Sequence, residues 1–281
     1  MPQDRSQSRP ASLAVGGVGI AVEAGDAALD ILRQQPGLAL ADHPAGDADL
    51  RLNLTTVPKL PHPDFALEGP LSHAGADGTV RLWRQDLDIE WRPATSELRA
   101  TIWAQPHAVS AMLRIACSLV MPRLGGLLLH ASSVVSAGRA FLFPGPSGAG
   151  KTTLARLALP RDVLSDEISA VRPVGGRYTC FPTPFWGEMK PRPPVLPAPL
   201  LAIGLPRKAD STKLAPISRA RSLERLLGCA LSFGATADEK RAVIDSAAAL
   251  AERVLSFDVH FSLDQDPWCL LDAIDPLPSA L

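Results

Sequence analysis

Residues 145–152, Gly145-Pro146-Ser147-Gly148-Ala149-Gly150-Lys151-Thr152, match G-x-x-x-x-G-K-[ST] at every fixed position. Gly145, Gly148 and Gly150 permit the positive φ angles that turn consecutive N–H groups inward, and a helix beginning near Gly150 would add the positive end of its dipole. Such a loop is an anion cradle. Lys151 brings a mobile charge to the β- and γ-phosphates of a nucleotide, and the Thr152 hydroxyl is placed to ligate Mg²⁺. Pro146, Ser147, Ala149 and Thr153 complete the expected binding segment, with ATP and Mg²⁺ as the expected cofactors. His130 precedes the loop, and two adjacent carboxylates, Asp166 and Glu167, follow it.

Phosphoryl transfer needs positioning, charge neutralisation and a group that takes the acceptor's proton. Asp166 is the expected base and metal ligand; a metal-binding role without proton transfer is its alternative. Neighbouring strand side chains face opposite ways, so one of the two carboxylates should face the phosphates, leaving Glu167 to support metal-bound water or a nearby cation. His130 could contact a phosphate oxygen or orient the acceptor, or it could be a satisfied core residue.

These residues need elements to hold them. Ala140-Phe141-Leu142-Phe143 reads as a buried strand before the loop, and residues 153–159 as a helix that Pro160 stops. Leu127-Leu128-Leu129 is a buried strand that delivers His130, after a helix over residues 107–121. Residues 168–174 and 177–181 form a hairpin about Gly175-Gly176. Residues 182–199 form a proline-dense loop carrying Trp186, Glu188 and Arg192, a candidate lid or acceptor-binding loop. A strand over 200–205 should run into a charged turn whose Arg207 and Lys208 are candidate phosphate or acceptor cations, with a solvated turn as the bland alternative. Two helices, the second opened by the capping box Thr236-Ala237-Asp238-Glu239, a strand about Phe257 to Leu263 and a short helix at Trp268 complete the chain.

Before residue 106 the pattern is different. Leu50/Leu52/Leu54, Val80/Leu82, Leu87/Ile89/Trp91 and Leu98/Ala100/Ile102 alternate with polar residues, as half-buried strands do. The expected organisation is a disordered segment over 1–11, a mostly antiparallel β-rich lobe over 12–105 and a phosphate-loop domain over 106–281. His43, His62 and His73 are expected in loops of that lobe and not at ligand spacing.

The chain has 281 residues, 46% of them apolar and 20% charged, enough for a substantial core. A net charge of −1 gives no electrostatic reason for nucleic acid or an anionic membrane as partner. Cys117, Cys180, Cys229 and Cys269 are too scattered for a metal or disulfide pattern and are expected to be reduced core thiols. No secretory signal pattern and no run of eighteen apolar residues is seen, so a cytoplasmic protein is expected.

Leu129-His130-Ala131-Ser132, the phosphate loop and Leu164-Ser165-Asp166-Glu167 together resemble the HPr serine kinase/phosphorylase family, whose motifs are LHG/LHA, GxSGxGKS and VADD. The likeness is close over residues 127–170 and loose elsewhere, and no P-G-R-N-like segment follows. The resemblance implies an α/β fold with a P-loop kinase core of the HPr kinase/phosphoenolpyruvate carboxykinase type, a mixed sheet with flanking helices. It also implies His130 beside the loop, Asp166 as catalytic carboxylate and Glu188 as a further metal-associated residue, although Met189-Lys190-Pro191 replaces the arginine and glycine pattern that usually follows. The members most similar in kind phosphorylate serine in ribosomally made peptides, including lasso-peptide precursors. The expected activity is therefore Mg²⁺- and ATP-dependent transfer to a serine of a peptide or small protein, by a chain that could self-associate. A small-molecule hydroxyl kinase and a nucleotide-dependent switch without transfer are the alternatives.

Overall fold

The computed structural model describes residues 8–43, 46–60, 70–190 and 195–274. The chain divides into two compact units: Met1–Arg123 with Ser232–Arg241, and Leu124–Leu231 with Ala242–Leu281.

Unit 1 is built on β1 (Arg9–Val15), β2 (Val18–Ala24), α1 (Asp26–Arg33), β3 (Leu40–Ala41), β4 (Leu50–Val57), β5 (Leu71–Ala74), β6 (Val80–Arg84), β7 (Leu87–Arg92), β8 (Glu97–Trp103) and α2 (Pro106–Val120). One sheet runs β3-β1-β2-β4-β8-β7-β6-β5. Its pairs are antiparallel except β2–β4 and β4–β8, which are parallel. The alternation seen in the sequence becomes a buried face: Leu50, Leu52, Leu54, Ile89, Trp91, Leu98 and Ile102 are all buried. α2 packs on β7, β8 and α1, and so belongs with this sheet rather than with the phosphate loop. The division falls at Arg123/Leu124, not at 105/106.

Other expectations for this unit shift too. β1 begins at Arg9, so the strand takes up residues 9–11; residues 1–7 lie outside the described residues. His73 sits in the exposed strand β5 and not in a loop, and His62 lies outside the described residues.

The returning segment Ser232–Arg241 is tied to unit 1 by one carboxylate. Glu239 Oε2 accepts from the N–H groups of Ala235 (2.9 Å) and Thr236 (3.0 Å), and Oε1 accepts from Trp91 Nε1 (2.9 Å). Thr236 Oγ1 accepts from the Glu239 N–H at 3.2 Å, completing the capping box. Glu239→Ala strands a fully buried indole N–H and removes the acceptor of two backbone donors. It should cost about 3 kcal/mol, read from the urea midpoint.

Unit 2 contains β9 (Leu127–Ser136), β10 (Arg139–Pro144), α3 (Lys151–Leu157), β11 (Asp162–Ser165), β12 (Ile168–Val174), β13 (Arg177–Phe181), β14 (Ala198–Lys208), β15 (Lys213–Pro216) and α4 (Arg219–Cys229). α5 (Ala237–Arg253) runs into it from unit 1, and β16 (Leu255–Phe261) and α6 (Trp268–Leu271) follow. The sheet order is β10-β9-β12-β13-β14-β16-β15, with β11 added to β9 and a further parallel pairing of β10 with β14.

Both faces of this sheet are covered. Phe141, Phe143, Val259 and Phe261 meet Leu154 and Ala155 of α3 and Trp268 of α6. Leu142, Ile203 and Leu205 meet Leu226 of α4 and Ala247 and Leu250 of α5. Successive β10 residues thus supply opposite cores, as a fully buried strand requires. Gly204 makes room for that packing: a Cβ there would lie 2.7 Å from Val259 Cγ2 and 2.8 Å from Phe143 Cδ1.

The hairpin of β12 and β13 forms as expected, with Gly175 at φ +56° and Gly176 at φ +81°. Two strands are longer than the sequence reading gave. β9 continues through His130 to Ser136, and β14 continues to Lys208, so Arg207 and Lys208 stand on a strand and not in a turn. β15 was not foreseen. Cys117, Cys180 and Cys229 are buried and unbridged, and Cys269, expected in the core, is exposed. Burial pushes the Cys117 and Cys180 thiols up to about 12.

Candidate functional site

The phosphate-loop segment lies between β10 and α3, both anchored in the same core. Gly145 N donates to His130 O at 3.3 Å, and Ala149 N donates to Pro146 O at 3.3 Å. Gly148 and Gly150 adopt φ +76° and +102°, conformations that side chains resist. Gly150 is also the N-cap of α3, and it has no side chain with which to cap the first-turn N–H groups.

Lys151 is folded back on the loop. Its Nζ donates to Pro146 O at 2.9 Å, and its carbonyl accepts from the buried Ser132 Oγ at 3.0 Å. Burial pulls the Lys151 ammonium below its ordinary value, with Cys229, Glu167 and Asp166 opposing the shift.

A cleft of about 380 Å³ opens here. Ser147, Gly148, Gly150, Lys151, Thr152 and Thr153 form one wall; His130, Asp166 and Glu167 form another. Gly187 and Glu188 close a third side, and Arg156 and Lys208 add two cations. His130 arrives from the interior of β9, where it pairs with Ile168. Asp166 and Glu167 lie in the bend between β11 and β12, and the Glu167 carbonyl accepts from Ala131 N at 3.0 Å. The sequence-predicted residues on three separated segments therefore meet in one place.

Arg207 does not join them. It faces away from its neighbour Lys208, as strand alternation requires, and its Nε donates to Asp258 Oδ1 at 2.8 Å. Glu188 lines the cleft but is paired with Arg156, at 2.6 Å. Among the described residues no three His, Cys, Asp or Glu side chains gather into a metal cage. Mg²⁺ seldom uses one: it is commonly held by one or two carboxylates together with water and substrate phosphates. Thr152, Asp166 and Glu167 in one cleft suit that mode.

Asp166 holds more of the structure than its sequence position suggests. It is 1% exposed, and its carboxylate accepts three consecutive backbone N–H groups: Gly187 (2.8 Å, on Oδ1), Glu188 and Met189 (both 3.0 Å, on Oδ2). A carboxylate offers about four lone-pair positions, so most of its accepting capacity is spent on folding this segment. Gly187 is needed for the approach, because a Cβ there would lie 3.3 Å from Asp166 Oδ2 and 3.2 Å from Glu167 Cβ. Ser165 Oγ donates to Phe185 O at 3.0 Å, and Phe185 is fully buried. Residues 183–189 are thus a wall fixed to the β11–β12 bend; residues 191–194 of the proline-dense loop lie outside the described residues.

Sequence reasoning missed Arg156 and this backbone clamp. The signal for Arg156 was its spacing, four residues after Thr152 and so one turn further along the same helix face. Nothing local to Asp166 announced partners from residues 187–189.

Two mixed sheets with few helices, one of them presenting a strand–glycine loop–helix cradle, define a mixed α/β protein. The chain belongs to the family described as SynChlorMet cassette protein ScmC, whose model matches residues 107–264, more than half of its length. Every cleft residue lies within that span. No curated protein matches the chain. Among the described residues no helix is long and apolar enough to cross a membrane.

Proposed function

We propose that unit 2 binds Mg²⁺-ATP in this cleft and transfers the γ-phosphoryl group to a serine hydroxyl of a peptide or small protein in the cytoplasm. The observation that carries the reading is the convergence of a glycine-rich loop with its lysine, a histidine and a carboxylate pair on one cleft. The likeness of those same segments to HPr serine kinases supports a kinase over other phosphate-loop chemistry. Its peptide-modifying members support a ribosomally made precursor as acceptor.

In this reading the N–H groups of the loop and Lys151 hold the triphosphate, and Thr152 with the carboxylate pair would hold Mg²⁺, which would neutralise phosphate charge. The serine oxygen forms a bond to the γ-phosphorus as the bond to the bridging β-oxygen breaks, and ADP leaves with that electron pair. The hydroxyl proton passes to a carboxylate. Asp166 already accepts three N–H bonds, so Glu167 is assigned the proton and Asp166 the positioning of the wall. His130 faces the transferred group or the acceptor.

Incubating the full chain with labelled ATP, Mg²⁺ and serine-containing candidate peptides should yield phosphoserine. Lys151→Ala should lower the yield about 100-fold or more. If the wild type binds ATP but labels neither peptides nor a metabolite pool, the transferase reading is wrong and a nucleotide switch replaces it.

A further inference from the structure

α3 brings a cation into the cleft that the phosphate-loop pattern does not contain. Arg156 follows Thr152 by one helical turn and lines the same cleft. Its Nη2 lies 2.6 Å from Glu188 Oε2. The backbone of Glu188 is held by Asp166, together with its neighbours Gly187 and Met189. A fixed segment therefore holds an exposed carboxylate against a guanidinium at the mouth of the glycine-rich loop.

We propose that Arg156 is a triphosphate-binding residue and that Glu188 occupies it until the anion arrives. This rests on the nucleotide reading above and adds a ligand contact to it. The two side chains are 52% and 69% exposed, and a pair so open to water is worth about fivefold at most in an equilibrium. A phosphate group offers the guanidinium two parallel charge-assisted hydrogen bonds and more charge than a carboxylate does. The phosphate wins that competition. Lys151 follows the same logic on the other side of the loop, its Nζ resting on the Pro146 carbonyl. Both cations thus have an internal stand-in for the ligand. Glu188, once displaced, stays beside the loop because its N–H remains on Asp166.

The test uses tripolyphosphate without divalent metal, so that no loss of a metal ligand enters the result. It is titrated calorimetrically into the full-length wild type, Arg156→Ala, Glu188→Gln, the double variant and Lys151→Ala. Arg156→Ala should weaken binding about tenfold or more, Glu188→Gln should tighten it by about two- to fivefold, and the double variant should match Arg156→Ala. Glu188→Gln binding no tighter than wild type overturns the proposal. So does a gain that persists when Arg156 is absent, since that would be a general charge effect. If Lys151→Ala loses the anion while Arg156→Ala keeps full affinity, the Arg156 assignment fails and the nucleotide reading stands. If the wild type does not bind tripolyphosphate at all, both fall.

Discussion

Glu167→Gln is expected to lower phosphoryl transfer by about 10²–10⁴-fold, the usual contribution of a positioned acid or base, with affinity for metal-free ATP changed by about threefold or less. The neighbouring Asp166→Asn should behave differently. An amide in place of that carboxylate puts an NH₂ against N–H donors on one side or the other, so at least one of the bonds to Gly187, Glu188 and Met189 is lost. Hydrogen exchange at those three amides should then speed up in Asp166→Asn and stay at wild-type rates in Glu167→Gln. Activity in Asp166→Asn should fall as the wall loosens, through KM as well as kcat. An Asp166→Asn protein with wild-type exchange at residues 187–189 and no transfer would return the proton to Asp166. The exchange measurement stands apart from the kinase reading, because it reports the clamp whether or not any phosphate moves.

Gly150→Ala should damage both the loop and the core beneath it. The position has φ +102°, and a left-handed backbone costs an ordinary side chain about 1–2 kcal/mol. The new Cβ would also lie 2.5 Å from Phe261 Cζ. Phe261 is 2% exposed and packed in the core with Trp268, so it has no room to yield, and overpacking of this kind adds about 1–3 kcal/mol. A total of about 2–5 kcal/mol should appear in the urea midpoint, with loss of anion binding. Gly148→Ala is the control: its φ is +76°, but nothing lies within 4 Å of the added methyl. It should cost the backbone contribution alone, about 1–2 kcal/mol. Equal losses at the two positions would show that Phe261 does not limit the loop.

The parts of the structure that depend on local pattern were legible in the sequence. Two-residue alternation located β4, β6, β7 and β8, the Gly175-Gly176 turn located its hairpin, and Thr236 with Glu239 located the start of α5. The glycine-rich loop was legible for the same reason, since Gly148 and Gly150 take the positive φ angles that their spacing predicts. What failed was length and partnership. β9 runs past His130 because Ser132 and Ser133 are buried, with Ser132 bonded to the Lys151 carbonyl and Ser133 to Ser169. Serine gives no apolar signal, and its partners are distant. Arg207 and Lys208 look like a solvated turn in the sequence, but the parallel pairing with β16 carries β14 past Leu205 to include them. The buried face of α2 predicts that the helix packs but not on which sheet, and it packs on β7 and β8. Asp166 illustrates the same limit at the site: two adjacent carboxylates suggest catalysis, and the three N–H donors that claim one of them come from 21 to 23 residues further on.

The return of Ser232–Arg241 to the first unit has a consequence for how this gene could be edited or recombined. A chain whose units follow end to end can be split at one codon and each half expressed. This one is nested: a break after Arg123 leaves the first piece without Glu239, and with it the acceptor of the Trp91 indole. The remaining piece would carry the first five residues of α5, Ala237–Arg241, without the unit they belong to. Swapping either unit with that of a relative therefore requires three crossovers, after Arg123, Leu231 and Arg241, whereas a single junction after Arg123 pairs Trp91 of one parent with the Glu239 segment of the other.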